Sequence, residues 1–513
     1  MYWFAGMAVA LVCVRSAVWL LWEQSYFDSD QAVVGLMTKH LAEGRAFPLF
    51  FYGQHYMLGV EAWLAAPLFR WFGPSVVALK VPLLAINVLI ACLLLKIFVE
   101  DVGLRPGMAF VSSLFFVLPP PVTSSRLMEA QGGNIEPFLY TVLLWLARDR
   151  PALFGLVAGV GVLNREFTAY AIAAMLIVEW WNGVLFSKRN LRSKLVALVF
   201  ALGVAVLVRV MTPHADLLGP GTAGPGSAIV LNNLDLGSIS KLCWNTQIAS
   251  NVEWLFSRNL SLLFGWDRGS FSPYFRSDLV GGQSWLVVPL LGLFGVVLVA
   301  WVTRLRATHD GEFVTAPRSR VTEGQVPGAA FPAYVALVGV VAAMAYTLSS
   351  CLVQDAMLIR YTLLTLFVPI GALGWLFRVE RSRTLRMMAT ASVLVWAVAG
   401  GIDDVRLLTR YVRRPPVNEY RRLSAFLEQS GIAFGRAPYW TAYQIDFLSH
   451  ERLTIASSDF VRVKRYQDLV DEHQRVAVTI ADLGPSCSGE RTIQFLRWCI
   501  TTSEGQLDRP VVR

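Results

Sequence analysis

Two aspartates stand two residues apart in Ser25-Tyr26-Phe27-Asp28-Ser29-Asp30-Gln31-Ala32, directly behind the first long apolar run of the chain. A carboxylate placed there can take a proton from an incoming hydroxyl and so serve as a general base. The same residues also suit a helix start. Asp30 before Gln31, Ala32 and Val33 fits an N-cap, and a cap would fix the carboxylate rather than compete with its chemistry. A second acidic set follows, where Glu129 and Glu136 flank Gln131-Gly132-Gly133-Asn134. Paired glycines permit a sharp turn or a close backbone approach to a ligand. Two readings stand for this set: an ordinary solvated turn, or a cluster in which Glu129, Asn134 and Glu136 bind sugar hydroxyls. With Asp30, Glu129 and Glu136 could also hold a divalent cation, magnesium or manganese, though nothing in the spacing demands a metal. No Cys or His spacing resembles a zinc site.

Basic residues supply the complementary chemistry. Asn164-Arg165-Glu166 interrupts two apolar runs, and ionisable groups at membrane depth face cavities or partners. Paired with Glu166, Arg165 would hold helices together. Facing a cavity, it would bind an anion, because its planar fork matches phosphate oxygens. Arg360-Tyr361 is the second anion candidate, with an arginine reaching for the interface as the plain alternative. Glu166, Gln54 and His55 complete the substrate-contact candidates, with Lys39, His40 and Arg126 behind them.

The scaffold that must position these groups is a membrane one. Of 513 residues, 55% are hydrophobic and only 16% charged, with a mean hydropathy of +0.51. A soluble domain carries about 25% charged residues. The net charge of +9 follows from Lys and Arg in the short loops between apolar runs, as the positive-inside bias requires, and does not point to nucleic acid.

A helix needs about 20 residues to cross the hydrocarbon. Read this way, the chain has about eleven spans, at 2–22, 81–99, 107–122, 137–147, 152–163, 167–186, 195–211, 285–301, 331–349, 362–377 and 387–400. The N-terminus lies inside, the first run is a retained anchor, and residues 23–80, 123–136 and 212–282 form outer loops. Residues 29 onward read as an amphipathic helix along the membrane surface. The short run 57–72 is a juxtamembrane helix, since a crossing there would reverse the charge sign of every later loop. From residue 403 to 513 the sequence becomes charged and mixed, with a strand-like alternation at Ala477-Val478-Thr479-Ile480. That reads as a small soluble α/β domain on the outer side, where Cys487 and Cys499 could pair. The expected fold is thus an all-α polytopic membrane domain, residues 1–402, followed by an extracytoplasmic α/β domain.

The stretches FDSDQA, FPLFFYGQHYMLGVEAWLAAPLFRWFGPS and ALKVPLLAINVLI, together with Arg360-Tyr361 at the start of a late span, resemble GT-C membrane glycosyltransferases. Protein O-mannosyltransferases and bacterial aminoarabinose transferases belong to that class. The order of seven early spans, a long outer loop and further spans is similar too. The resemblance covers residues 1 to about 400. It implies transfer of a sugar from a polyprenyl-phosphate donor to a glycan, lipid or protein hydroxyl on the outer face, in a bacterial inner membrane. It also implies that the acid of the first outer loop, Asp30 with Asp28 beside it, is the catalytic base. The commoner pattern is Asp-Glu; here Gln31 stands second, and Glu129 or Glu136 would take the place of the acid in the second outer loop. Donor phosphate would fall to Arg165, Arg360 and Tyr361. One in-line displacement would invert the sugar, with no nucleotide and no glycine-rich nucleotide fingerprint. A transporter or lipid flippase is the competing class. It would place polar groups at mid-membrane and usually repeat its halves, whereas here the polar groups gather on one side. A non-catalytic membrane subunit is a third reading.

Overall fold

The computed structural model describes residues 1–54, 57–212, 246–267, 283–309, 326–349, 356–482, 487 and 492–502. The helices of the first half are α1 (Tyr2–Leu21), α2 (Ser29–Ala42), α3 (Val60–Phe72), α4 (Val76–Glu100), α5 (Pro106–Val117), α6 (Pro121–Leu127), α7 (Glu136–Leu146), α8 (Pro151–Asn164), α9 (Thr168–Trp181) and α10 (Lys188–Met211). They are followed by α11 (Thr246–Trp254), α12 (Leu260–Phe264), α13 (Val287–His309), α14 (Phe331–Ser349), a 3-10 stretch at Ala356–Leu366, α15 (Phe367–Val379) and α16 (Arg383–Arg413).

Seven of these elements are long and apolar enough to cross a membrane, and α5 with α6 makes an eighth if the pair, bent by 82°, is one span. Their outer surfaces support that reading. Leu198, Val199, Leu202, Val206 and Leu207 on α10 are all more than half exposed, a continuous apolar face that water would not tolerate. α10 meets α8 at glycines: a Cβ on Gly155 would lie 2.1 Å from the Ala197 carbonyl oxygen. Such close backbone approach is how helices associate where lipid removes the hydrophobic drive. Three shorter apolar helices, α7, α8 and α9, have 11, 14 and 14 residues. Every expected apolar run is therefore helical, but a total of eleven crossings holds only if these three also span.

The expected span 107–122 stops early. Pro119, Pro120 and Pro121 lack the N–H groups that Phe115, Phe116 and Val117 would need as helical partners. The chain turns there, and Arg15 Nε donates to the freed Val117 carbonyl at 3.0 Å while Arg15 Nη2 donates to Asn87 Oδ1 at 2.7 Å. Asn87 Nδ2 then donates to the Leu127 carbonyl at 2.8 Å, so α1, α4 and the end of α6 are tied at one point.

The remaining elements are α17 (Glu419–Gln429), β1 (Phe434–Ala437), α18 (Tyr439–Leu448), β2 (Thr454–Ser457), α19 (Lys464–Glu472), β3 (Val478–Asp482), β4 (Thr492–Phe495) and β5 (Trp498–Thr501). The strands form one sheet in the order β2-β1-β3-β5-β4, parallel around β1 and antiparallel from β3 onward. The strand read at Ala477–Ile480 is β3, and Cys487 is bonded to Cys499. α16 runs unbroken through the boundary expected at 402/403.

The surface-lying helix expected after Asp30 is instead enclosed. On α2, every residue from Gln31 to His40 is buried. The polar end of that helix is covered by the C-terminal domain: His40 Nε2 meets Glu451 Oε1 at 2.9 Å, and Lys39 and Arg45 pair with the same carboxylate. The apolar contact is equally close, since a Cβ on Gly35 would lie 2.5 Å from the Phe447 ring. Glu23 adds a further link, accepting from Asn418 at 2.6 Å and from Arg421 Nη2 at 2.8 Å.

Candidate active site

The acidic loop is set by the end of α1 and the start of α2. Lys80 of α4, fully buried, donates to the Trp19 carbonyl at 3.1 Å and the Tyr26 carbonyl at 2.7 Å. It thereby satisfies carbonyls at a helix C-terminus and fixes the turn that follows. The N-cap of α2 is Asp28, not Asp30: its Oδ1 accepts from the Gln31 N–H at 3.0 Å. Burial first, then the charges of Glu129 and Asp30, push the Asp28 carboxyl up to about 7.

Asp30 sits two residues on, half-buried. Its Oδ2 accepts from Gln131 Nε2 and its Oδ1 from the Tyr439 hydroxyl. Both donors are neutral, so the charge on Asp30 has no ion-pair partner among the described residues. Each carboxylate oxygen retains capacity for another proton.

The second acidic turn is built differently. Glu129 is fully buried. Its Oε1 accepts from the Tyr26 hydroxyl at 2.7 Å, and its Oε2 from Arg126 Nη1 at 2.9 Å and Asn134 Nδ2 at 2.8 Å. Glu136 is buried and accepts from the Gly133 N–H at 3.1 Å, while Glu61 of α3 accepts from the Gly132 N–H at 2.8 Å. Burial first, then the Glu136 carboxylate beside it, push the Glu61 carboxyl well above its ordinary value. Gly132 and Gly133 have φ of 75° and 96°, the left-handed region that glycine enters without penalty. At Gly133 a Cβ would come within 2.7 Å of the Arg165 side chain. The turn is therefore folded inward rather than solvated, and Glu129, Asn134 and Glu136 are engaged with their own neighbours. Among the described residues no three His, Cys, Asp or Glu side chains come together as a metal site. Asp30, Glu129 and Glu136 do not form the shared cation site considered from sequence.

Arg165 caps α8, whose end is anchored by Asn164 Nδ2 donating to the Leu58 carbonyl at 2.9 Å. Glu166 is exposed, and no ion pair joins it to Arg165, so the helix-stapling pair is absent. The Arg165 guanidinium contacts Met57 Sδ and lies 5.1 Å from the centre of the Phe167 ring. Phe167 packs edge-on against Tyr361 at 5.6 Å, and the Arg360 guanidinium lies 5.1 Å from the Tyr361 ring. Two arginines far apart in sequence thus share one aromatic wall. Each has a buried Nε with no hydrogen-bond partner, and neither has a carboxylate within ion-pair distance among the described residues. Arg360 is within electrostatic reach of Asp30 and Glu129.

Of the remaining candidates, Arg126 belongs to the Glu129 cluster, and Lys39 and His40 hold Glu451. Gln54, with its amide turned to accept, takes hydrogen bonds from Arg462 at 2.8 and 3.1 Å. His55 lies outside the described residues. Sequence reasoning missed three residues: Glu61, which sits inside an apolar run, and Tyr439 and Arg462 from the C-terminal domain. Tyr439 had a signal. It follows Pro438 at the C-terminal edge of β1, the edge at which parallel sheets present functional groups.

No protein-family model matches the chain and no curated protein does. Similar solved structures include the archaeal oligosaccharyltransferase AglB from Archaeoglobus fulgidus, in complex with an inhibitory peptide and a dolichol-phosphate. It has 12% identity and a TM-score of 0.48, over 93% of this chain and 69% of that one. Another is ArnT from Cupriavidus metallidurans bound to undecaprenyl phosphate, with 13% identity and a TM-score of 0.45, over 98% and 99%. At TM-scores below 0.5 these likenesses carry no functional weight, and the chemistry is read from the side chains.

Proposed function

We propose that the chain is a GT-C-type membrane glycosyltransferase that moves a sugar from a polyprenyl-phosphate donor to an acceptor hydroxyl on the extracytoplasmic face. The observation that carries this reading is the pairing of an uncompensated carboxylate, Asp30, with an uncompensated guanidinium, Arg360, within its electrostatic reach. Burying a charge without a counter-charge is costly. Arg165, buried, and Arg360, half-buried, each with a buried Nε that has no hydrogen-bond partner, are suited to an anion that arrives with the substrate.

In the reaction, Asp30 takes the proton from the acceptor hydroxyl as its oxygen attacks the anomeric carbon. The bond from that carbon to the lipid-phosphate oxygen breaks, and the electron pair leaves with the phosphate. Arg360 and Arg165 stabilise the charge that grows there. Attack and departure on opposite sides invert the anomeric centre. Tyr361 and Phe167 supply the apolar wall against which the guanidinium groups are held. The lipid tail lies in the bilayer, and the N-terminus is cytoplasmic.

The test uses the purified full chain and a panel of radiolabelled polyprenyl-phosphate sugars with mixed glycan, lipid and peptide acceptors. The expected result is consumption of one donor class with release of polyprenyl phosphate. No donor consumed, together with solute uptake by vesicles holding the protein alone, would overturn the reading in favour of a transporter.

A further inference from the structure

We infer that the C-terminal domain is a working part of this site, and that its Tyr439 positions Asp30 for proton abstraction. The inference rests on the reading of Asp30 as the base.

Asp30 is gripped from two sides. Gln131 comes from the second outer turn of the membrane part, and Tyr439 comes from the first residue of α18. With one donor on each oxygen, the carboxylate cannot rotate freely about its Cβ–Cγ bond. A carboxylate fixed in this way meets an acceptor hydroxyl in a single orientation, the condition for efficient proton transfer.

The direction of the Tyr439 proton follows from its partner. A phenol has one O–H to give, and an ionised carboxylate only accepts. The Tyr439 proton therefore goes to Asp30. Burial first, then the Asp30 charge, push the Tyr439 phenol well above its ordinary value, so it stays a donor across the physiological range. The Arg462 guanidinium stands 5.7 Å from the centre of the Tyr439 ring and 4.9 and 4.4 Å from those of Phe51 and Phe460.

The main chain of Tyr439 is clamped to the helix turn that carries the base. Its carbonyl accepts from Ser29 Oγ at 2.7 Å, one residue before Asp30. Its N–H donates to Asp459 Oδ1 at 2.7 Å. Docking of the domain does not depend on the phenol hydroxyl. Glu451 with Lys39, His40 and Arg45, Glu23 with Arg421, and Phe447 against Gly35 already provide it. The hydroxyl contact thus has a role separate from adhesion.

Tyr439→Phe removes the hydroxyl and keeps the ring and both main-chain contacts. Difference infrared spectroscopy of the full chain in detergent isolates Asp30 as the carboxylate band lost in Asp30→Asn. In Tyr439→Phe that band is expected to shift in frequency, because one of its two hydrogen-bond donors is gone. In the transfer assay, Tyr439→Phe should lower kcat about tenfold with donor KM unchanged. An unmoved band in Tyr439→Phe would overturn the inference whatever the donor proves to be. Full transfer by Asp30→Asn would instead remove the base reading. Inactive Asp30→Asn beside a Tyr439→Phe enzyme with wild-type kcat would remove the role of Tyr439.

Discussion

The two acidic turns, residues 25–32 and 126–136, contain the same kinds of side chain and use them in opposite ways. In the second turn, both oxygens of Glu129 are occupied and its charge is matched by Arg126. In the first, Asp30 is half-buried and held by two neutral donors, within electrostatic reach of Arg360, and neither has an ion-pair partner among the described residues. We read the compensated acid as frame and propose the uncompensated one as the base. From sequence the first turn is the candidate base, and the second is either a set of sugar-binding groups or an ordinary solvated turn.

The contrast can be broken by substitution, beginning with the largest expected effect. Glu129→Ala leaves Arg126 buried without its counter-charge, and should cost about 3–5 kcal/mol, read as loss of the folded protein in thermal melts. If Glu129 were a substrate ligand instead, that variant would melt like wild type and fail only in transfer. Arg360→Gln should fold normally and lose about 10²–10³ in kcat, the usual cost of one oxyanion partner. An unchanged kcat would leave Arg360 as an interfacial anchor.

Smaller effects sharpen the frame side of the comparison. Burial opposes ionisation of Glu451, but the hydrogen bonds and charge of His40, then Arg45 and Lys39, outweigh it and hold the carboxyl well below its ordinary value of 4.5. The folded-state value lies below the unfolded one. The contribution to stability is therefore complete above about pH 4.5 and is lost as pH falls. Glu451→Gln should remove that acid sensitivity and lower stability at neutral pH by about 1–2 kcal/mol. For Asp28 the sign reverses. Its folded-state value of about 7 lies above the ordinary 3.8, so stability falls as pH rises between the two. Asp28→Asn keeps the cap, because asparagine caps as well as aspartate. It should flatten that pH dependence and raise the melting temperature by a few degrees at pH 8. A drop there would show the charge on Asp28 to be needed.

Much of the frame was legible because apolar length and basic loops report directly on membrane crossing. The acidic turn at Asp28 and Asp30, the anion candidates Arg165 and Arg360, the β3 strand and the Cys487–Cys499 pair all came from local pattern. What was not legible came from contacts between distant residues. Asp30 and Tyr439 meet only because β1 and α18 carry the C-terminal domain back over α2. A helix with Lys39 and His40 at its end looks amphipathic until Glu451 covers them. Glu61 was hidden because one acid in an apolar run carries no local sign of its partner, Glu136. The cap fell to Asp28 rather than Asp30, two residues away, a distinction that local spacing does not make.

Transfer by Asp30→Asn, measured beside wild type in the same detergent with the same polyprenyl-phosphate sugar, tests the central claim most directly. The substitution keeps the size of the side chain and removes its ability to accept a proton as a carboxylate. Loss of at least about 10³-fold in kcat, with a melting temperature unchanged, is the predicted result. Transfer within tenfold of wild type, or loss of the folded protein in step with loss of activity, would contradict it.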